Sequence, residues 1–237
     1  MNAEIPSQVA AEIPDRVIPL SGMRGMIASK MKESISTSAQ LTHIAECDVT
    51  SLSAAKAQLA ERGVKASVED LLIHAVVSSL RKNPHLNATL EDNAIRVKSA
   101  MNISCAIALS GDLLVAPTIL NADCMSLAER IEARRDLVER ARTNKLSVKE
   151  MTAGTFTLSN IGLSRVRYFT PILNMPQVAI LGIGEAGLRP WVVGNGRIEP
   201  RPIMGLSLTF DHRAVNGAPA ANFLTDLCQA IEQFRPE

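Results

Sequence analysis

The residues best suited to take part in a chemical reaction are Asp211-His212-Arg213, which follow an apolar alternating run from Leu206 to Phe210. Alternation of this kind predicts a β-strand, and Asn216-Gly217 just beyond is a turn signal. His212 is therefore expected where a buried strand ends. A side chain there is fixed on one side and open on the other, which suits a general base. The same place would also suit a histidine that only caps the strand or satisfies a carbonyl group.

A second polar strand end lies at Ser159-Asn160. Alternation predicts a strand from Thr155 to Ser159, and Asn160-Ile161-Gly162 interrupts it. Serine and asparagine are common turn formers, so these residues alone indicate no function. After the first strand end, the stretch from Ala218 to Phe234 predicts an amphipathic helix, because its apolar residues recur at helical spacing.

Composition excludes several classes of function. The chain has 237 residues, 46% apolar and 21% charged, which is typical of one globular domain with a sizeable core. A net charge of +1 and 3% aromatic residues favour neither a nucleic-acid partner nor a membrane partner. No metal-ligand cluster is visible. Cysteines at 47, 105, 124 and 228 form no Cys-x-x-Cys pair, so we expect buried reduced thiols and an intracellular protein.

The chain divides into two parts. Residues 1–20 contain three prolines among small and polar residues, which predicts an N-terminal arm or linker. Residues 21–237 are predicted to form a single domain. Its first helix is expected from Ser21-Gly22 to about Ser38, and a helix-capping serine is expected at Ser67. The mixed-charge helix predicted from Cys124 to Thr143 is expected to present a solvated face.

Three motifs, in order, resemble the catalytic domain of dihydrolipoamide acyltransferases, the acyl-transferring core subunits of 2-oxo acid dehydrogenase complexes. They are Gly154-Thr155-Phe156-Thr157-Leu158-Ser159-Asn160, the run from Phe169 to Gly182, and His212-x-x-x-Asn216-Gly217. The resemblance spans roughly residues 18–235. It implies the two-layer α/β fold of coenzyme A-dependent acyltransferases, as in chloramphenicol acetyltransferase, with a mixed sheet and helices mainly on one face.

The resemblance also assigns roles. His212 is the general base that deprotonates a thiol, and the Ser159 hydroxyl stabilises the tetrahedral oxyanion. Asn216 stands where the family usually has aspartate, and Arg24 matches an arginine associated with that aspartate. With Asn216, a salt bridge becomes a hydrogen bond at best, and we expect Asn216 to preserve the loop geometry. Coenzyme A is a substrate, the acyl group arrives on a lipoyl group, and no metal is required.

Partners follow from the same resemblance. It implies a homotrimer in which His212 and Ser159 come from adjacent subunits, and it leaves open whether trimers build a larger cage. In the family, a lipoyl domain and a subunit-binding domain lie upstream, and neither is recognised in this sequence. Expected partners are a lipoyl domain and the decarboxylase and dihydrolipoamide dehydrogenase subunits. The expected location is the cytoplasm, or the mitochondrial matrix in a eukaryote.

The acyl group stays open, as does the type of complex: pyruvate, branched-chain or acetoin. The residues near 163–168 and Leu173-Asn174-Met175-Pro176-Gln177 are more similar to acetyl or branched-chain members than to succinyl ones. Two other functions also remain open. One is an O- or N-acetyltransferase of the same fold that modifies a small molecule. The other is an inactive scaffold subunit, which the replacement at Asn216 suggests.

Overall fold

The computed structural model describes residues 15, 17–109 and 113–236. The helices are α1 (Gly22–Thr37), α2 (Thr50–Glu61), α3 (Val68–Lys82), α4 (Leu127–Arg142), α5 (Val148–Thr152) and α6 (Gly217–Glu232). The strands are β1 (Gln40–Asp48), β2 (Ala88–Glu91), β3 (Ala94–Val97), β4 (Ile103–Cys105), β5 (Ile107–Leu109), β6 (Leu113–Val115), β7 (Thr118–Ile119), β8 (Phe156–Asn160), β9 (Ala179–Val193) and β10 (Arg197–Asp211). Most of the expected N-terminal arm lies outside the described residues, so its boundary at residue 20 stays a prediction.

One six-stranded sheet organises the domain, in the order β1-β10-β9-β8-β4-β7. Strand β8 runs parallel to both of its neighbours, β4 and β9, while the other pairs are antiparallel. The expectation of a mixed sheet is therefore confirmed. Strands β2–β3 and β5–β6 form two separate hairpins.

One face of the sheet carries the hydrophobic core. Leu158, Leu181, Leu206 and Leu208 on this face are fully buried, and residues of α2, α3, α4 and α6 belong to the same apolar cluster. Full burial of such a side chain contributes about 1.5–3 kcal/mol. Helix α3 is apolar over most of its surface, and its N-terminus is closed by a capping box in which Ser67 and Asp70 bond reciprocally.

The opposite face is built from small and hydroxyl-bearing residues, and an extended segment lies directly on it. The carbonyl oxygen of Arg167 lies only 1.9 Å from the position that a Cβ atom on Gly184 would occupy, and 2.1 Å from that on Gly205. The ring of Phe169 similarly approaches the Cβ position of Gly182 at 2.8 Å. Glycine at these places lets the backbone of the segment contact the sheet.

Two local predictions were wrong, each for a physical reason. Helix α4 begins after Ser126, which forms a capping box with Glu129, rather than at Cys124. Cys124 is consequently exposed, which contradicts the expectation of a buried thiol.

The face of α4 is also less solvated than its charges suggested. Arg130 is buried; its Nη1 donates to the carbonyl oxygen of Ala122 at 2.8 Å, and its Nη2 lies 2.8 Å from His74 Nδ1. Arg134 forms an ion pair with Asp70, whose carboxylate is almost fully buried. Arg130 and Arg134 therefore help to pack α4 against α3 and do not form a solvated face. None of the described helices combines the length and apolar composition needed to cross a membrane.

Candidate active site

His212 is the first residue after β10. Its backbone N–H donates to the carbonyl oxygen of Ala39 at 2.8 Å, so the main chain is held by the residue that precedes β1. The imidazole is exposed and packs beside Phe210, with the ring centroids 5.9 Å apart. Within the described part of the chain, this imidazole makes no hydrogen bond. Its nitrogens are therefore available to a substrate.

The Asp211 side chain fixes the backbone around His212. Its buried carboxylate accepts hydrogen bonds from the Ala39 N–H at 3.3 Å, the Arg213 N–H at 3.0 Å and the Arg213 Nε at 3.0 Å. Burial alone would raise the pKa of Asp211, but hydrogen bonds from Arg213 and Ala39 outweigh burial and lower it. The Asp211 carbonyl oxygen also accepts from the N–H groups of Ala214 and Val215, which closes the turn. The sequence analysis assigned no role to Asp211. The available signal was an arginine two residues later, which can pair with the aspartate.

Asn216 occupies the N-cap position of α6. Its backbone is extended, with φ −79° and ψ 162°, and its side chain makes no capping hydrogen bond. The residue is exposed, like His212. Four residues and a tight turn therefore place the Asn216 amide on the same exposed edge as the imidazole.

Ser159 lies near the end of β8 on the polar face of the sheet, where it pairs with Gly182 of β9. It is half-buried and lines a cavity of about 470 Å³. Most of the cavity wall is apolar: Met23, Met26, Ile27, Met31, Leu114, Val115, Met151, Pro171, Ile172 and Ile180. Polar groups come from Thr157, Asn174 and Lys30, whose ammonium group donates to Asn174 Oδ1 at 2.8 Å. An apolar cavity with a few convergent polar groups is the usual form of a small-molecule site.

The turn after Ser159 is fixed from the opposite face of the sheet. Asn160 Oδ1 accepts from the Gly162 N–H at 2.9 Å. The Asn160 side chain also faces Glu69 on α3. Burial raises the pKa of Glu69, and the nearby Arg134 and Asn160 oppose that increase only in part.

Ser159 and His212 do not meet within one chain. The register aligns Ser159 with Gly182, and Gly182 with Ser207, which precedes His212 by five residues. Because β8 and β10 are antiparallel, Ser159 stands near the end of one strand and His212 beyond the opposite end of the sheet. Two inter-strand spacings and five residues of strand separate the positions by roughly 20 Å.

Arg24 lies on the Ser159 side of this separation. It is in the first turn of α1, between Met23 and Ile27, which line the serine cavity. The other end of α1 leads to Ala39, the residue bonded to His212. With a rise of about 1.5 Å per residue, the helix separates Arg24 from that end by roughly 20 Å. Along α1, Arg24 therefore lies far from the end of the helix that leads to His212.

Comparison with known proteins identifies the family. The sequence profile described as 2-oxoacid dehydrogenases acyltransferase (catalytic domain) matches residues 12–236. The chain belongs to this acyltransferase family. It is 38% identical over 221 residues to the dihydrolipoyllysine-residue acetyltransferase component of the acetoin cleaving system of Bacillus subtilis, covering 91% of this chain and 55% of that protein. It is 37% identical over 227 residues to a probable succinyltransferase component of the 2-oxoglutarate dehydrogenase complex of Schizosaccharomyces pombe, covering 92% and 50%.

Solved structures of this acyltransferase family superimpose closely. A probable dihydrolipoamide acetyltransferase from Listeria monocytogenes matches with a TM-score of 0.87 and 32% identity, covering 94% of this chain and 97% of the other. The dihydrolipoamide acetyltransferase of Azotobacter vinelandii matches with a TM-score of 0.85 and 31% identity, covering 98% of each chain. Chloramphenicol acetyltransferase shares the fold at a TM-score of 0.56 and 15% identity, with 85% and 95% covered. The expected fold is confirmed.

Three further facts bear on the interpretation of the site. The chain spans about half the length of the curated relatives it matches. The Azotobacter vinelandii structure addresses the role of a serine, a histidine and an asparagine in the catalytic mechanism of that enzyme. There, the asparagine follows the histidine by four residues. The described residues here contain no group of three or more side chains suited to hold a metal ion.

Proposed function

We propose that this chain is the catalytic domain of a dihydrolipoamide acyltransferase that moves an acyl group from a dihydrolipoyl thioester to coenzyme A. The observation that carries the proposal is the pairing of an exposed imidazole after β10 with a serine hydroxyl in an apolar cavity. Both belong to a chain whose family is named for this reaction. The asparagine four residues after the catalytic histidine of the Azotobacter vinelandii enzyme supports a role for Asn216 beside His212.

The first step is proton removal. A thiol has an ordinary pKa near ~8.5, so it is mostly protonated at neutral pH, whereas the thiolate is the nucleophile. His212 takes the proton from the coenzyme A thiol as the sulfur attacks the thioester carbonyl carbon. The tetrahedral intermediate then expels the dihydrolipoyl sulfur, and the His212 imidazolium returns the proton to it. One carbon–sulfur bond forms, one breaks, and no proton is lost.

Ser159 provides the second element of catalysis. The attacked carbonyl oxygen becomes negatively charged in the intermediate, and a preorganised donor lowers its energy. Loss of one such donor costs about 100- to 1000-fold in turnover in well-studied enzymes. The Ser159 hydroxyl lies in a largely apolar cavity, where a hydrogen bond to an anion is stronger than in water.

The site requires a second copy of the chain. Because Ser159 and His212 are roughly 20 Å apart in one chain, His212 of one protomer acts with Ser159 of its neighbour. A trimer with this contact repeated around a threefold axis would contain three equivalent sites. Arg24 lies at the serine side, so the neighbour that supplies Ser159 also brings Arg24 towards Asn216. An amide oxygen on Asn216 accepts a hydrogen bond from that guanidinium.

Substrate and partner assignments extend the proposal. Relatives include both acetyl- and succinyltransferase components, and we assign an acyl group of the acetyl or branched-chain type because the Ser159 cavity wall is largely apolar. The acyl donor is a lipoyl group on a separate domain. The decarboxylase and dihydrolipoamide dehydrogenase subunits of a 2-oxo acid dehydrogenase complex are the proposed partners.

The experiment is acyl transfer from acetyl-coenzyme A to free dihydrolipoamide, for the wild type beside His212→Ala. We expect turnover in the wild type and a loss of about 100- to 10,000-fold in the variant, as for removal of a general base. Isobutyryl-coenzyme A and succinyl-coenzyme A test the acyl preference. Failure with all three donors in a correctly assembled protein would overturn the proposal. Transfer to a small alcohol would then indicate an O-acetyltransferase, and no transfer would indicate a scaffold subunit.

A further inference from the structure

Two thiols meet where β1 packs against α6, outside the proposed acyl-transfer site. Cys47 is fully buried on β1, and its Sγ lies 3.9 Å from the carbonyl oxygen of Met204. Cys228 on α6 places its Sγ 4.0 Å from the carbonyl oxygen of Glu46, the residue before Cys47. Because Glu46 is bonded to Cys47, the Cys228 sulfur lies beside the backbone of Cys47. The two cysteines, 181 positions apart in sequence, are therefore neighbours where β1 and α6 pack together.

The two sulfurs differ in accessibility. Cys228 is partly exposed and lines an open cavity of about 700 Å³ between β1 and α6, together with His43, Thr225 and Gln229. Cys47 lies behind it in the hydrophobic core. A small solute in the cavity would contact the sulfur of Cys228 first, and Cys47 is placed to react with whatever forms there.

The proximity of the two thiols favours the same order of reaction. The neighbouring Cys47 thiol lowers the pKa of Cys228, because it stabilises the Cys228 thiolate. The Cys228 sulfur and burial both raise the pKa of Cys47. Thiolate character and exposure both govern oxidation of cysteine, so Cys228 is the more reactive member of the pair.

We propose that Cys47 and Cys228 form an oxidisable dithiol that hydrogen peroxide converts to a disulfide between β1 and α6. The Cys228 thiolate attacks one peroxide oxygen, which breaks the oxygen–oxygen bond and gives a sulfenic acid and hydroxide. The Cys47 sulfur then attacks the Cys228 sulfur; its proton and the sulfenic hydroxyl leave as water. Overall, two thiols are oxidised to one disulfide, and one peroxide is reduced to two waters.

The other two cysteines have no such partner. Cys105 is buried, and burial raises the pKa of its thiol. Cys124 is exposed, with its Sγ 3.6 Å from Asp123 Oδ2, and is remote from the pair in the described fold. Cys124→Ser therefore removes an exposed thiol without altering the proposed site, and the variant serves as the working background.

The test is peroxide treatment of the assembled Cys124→Ser protein, followed by alkylation of free thiols, proteolysis without reductant and mass spectrometry. We expect the two thiols to disappear together and a peptide pair to appear that links Cys47 to Cys228 and separates on reduction. In the Cys228→Ser variant the linked pair should be absent and Cys47 should stay alkylatable. In the Cys47→Ala variant, dimedone should trap a sulfenic acid at Cys228.

Three outcomes would overturn the proposal. They are oxidation of Cys228 to sulfinic acid with Cys47 still free, oxidation of Cys47 at an equal rate in Cys228→Ser, and no thiol loss at all. Should Cys47→Ala fail to fold, Cys228→Ser and the linked peptide in the background protein still decide the matter. The acyl-transfer assay is not used, so this result is independent of the proposed function.

Discussion

Ser159 and His212 stand at opposite ends of one sheet, on strands that have only β9 between them. The relationship follows from strand direction: β8 runs parallel to β9, and β10 runs antiparallel to it. No movement of a side chain can close a gap of roughly 20 Å between sheet positions. The proposed chemistry therefore requires contact between protomers.

Mixed assembly is the sharpest test of this arrangement. When His212→Ala and Ser159→Ala chains are co-assembled with different affinity tags, doubly tagged trimers should regain about one third of wild-type turnover. The reason is that one of the three head-to-tail contacts in each mixed trimer pairs an intact histidine with an intact serine. Homotrimers of either variant provide the controls. Recovery absent from doubly tagged trimers would place both residues of a site in one chain.

Substitutions at Asn216 should separate catalysis from stability. Asn216→Ala removes one hydrogen-bonding amide, so we expect turnover to fall by about 5- to 150-fold, the equivalent of about 1–3 kcal/mol. The free energy of unfolding should change by less than about 0.5 kcal/mol, because the residue is exposed and its side chain does not cap α6.

Asn216→Asp is the matched conservative change at this position. It restores the residue usual in the family and should keep turnover within about tenfold, with a pairing to Arg24 that is sensitive to salt. Turnover assays and urea unfolding of both variants make the comparison. Equal turnover in Asn216→Ala and wild type would remove Asn216 from the mechanism.

Asp211 should make stability depend on pH. Its pKa is lower in the folded protein than the ordinary value near ~3.9, so the folded state gains stability at pH values above the ordinary value. This gain disappears as pH falls through the folded pKa. Asp211→Asn should lower the free energy of unfolding by about 1–3 kcal/mol at pH 7, and the difference from wild type should shrink below about pH 4.

Urea unfolding at pH 7 and pH 3.5 measures this effect. Asp136→Asn is the control, because Asp136 is exposed and pairs with Arg140 at the surface, where ion pairs contribute little. A constant difference between Asp211→Asn and wild type across this range would contradict the assigned role of the carboxylate.

Gly184→Ala should be strongly destabilising. The added Cβ would lie 1.9 Å from the Arg167 carbonyl oxygen and 2.6 Å from its carbon, both backbone atoms. Forcing the segment away from the sheet should cost about 3 kcal/mol or more. Gly187→Ala on the same strand is the control, since its Cβ meets only the flexible ends of two side chains, Glu185 at 3.2 Å and Arg189 at 3.6 Å. Similar melting temperatures for the two variants would show that the segment yields easily.

Much of this organisation was predictable from local sequence. The alternation from Leu206 to Phe210 correctly placed His212 at a strand end, and the pattern around Ser67 correctly placed the start of α3. These features depend on neighbouring residues, whose periodicity and capping chemistry are visible in the sequence. The resemblance to the family, carried by three motifs, was confirmed.

Features set by tertiary packing were not predictable in this way. The burial of Arg130 depends on the Ala122 carbonyl and His74, which come from a separate turn and a separate helix. The close approach of Arg167 to Gly184 depends on a segment that crosses two strands. The roles of His212, Ser159, Asn216 and Arg24 remain predictions that the proposed experiments address.

The distance between Ser159 and His212 has a consequence for when a newly synthesised protein becomes active in a cell. Under the proposed roles of His212 and Ser159, a newly made chain would complete its core, its sheet and its described helices and still be inactive, because each protomer would hold only half of the site. Acyl-coenzyme A would meet a working site only after protomers have found one another. Catalysis would then require assembly, and misassembled chains would not react with the coenzyme A pool.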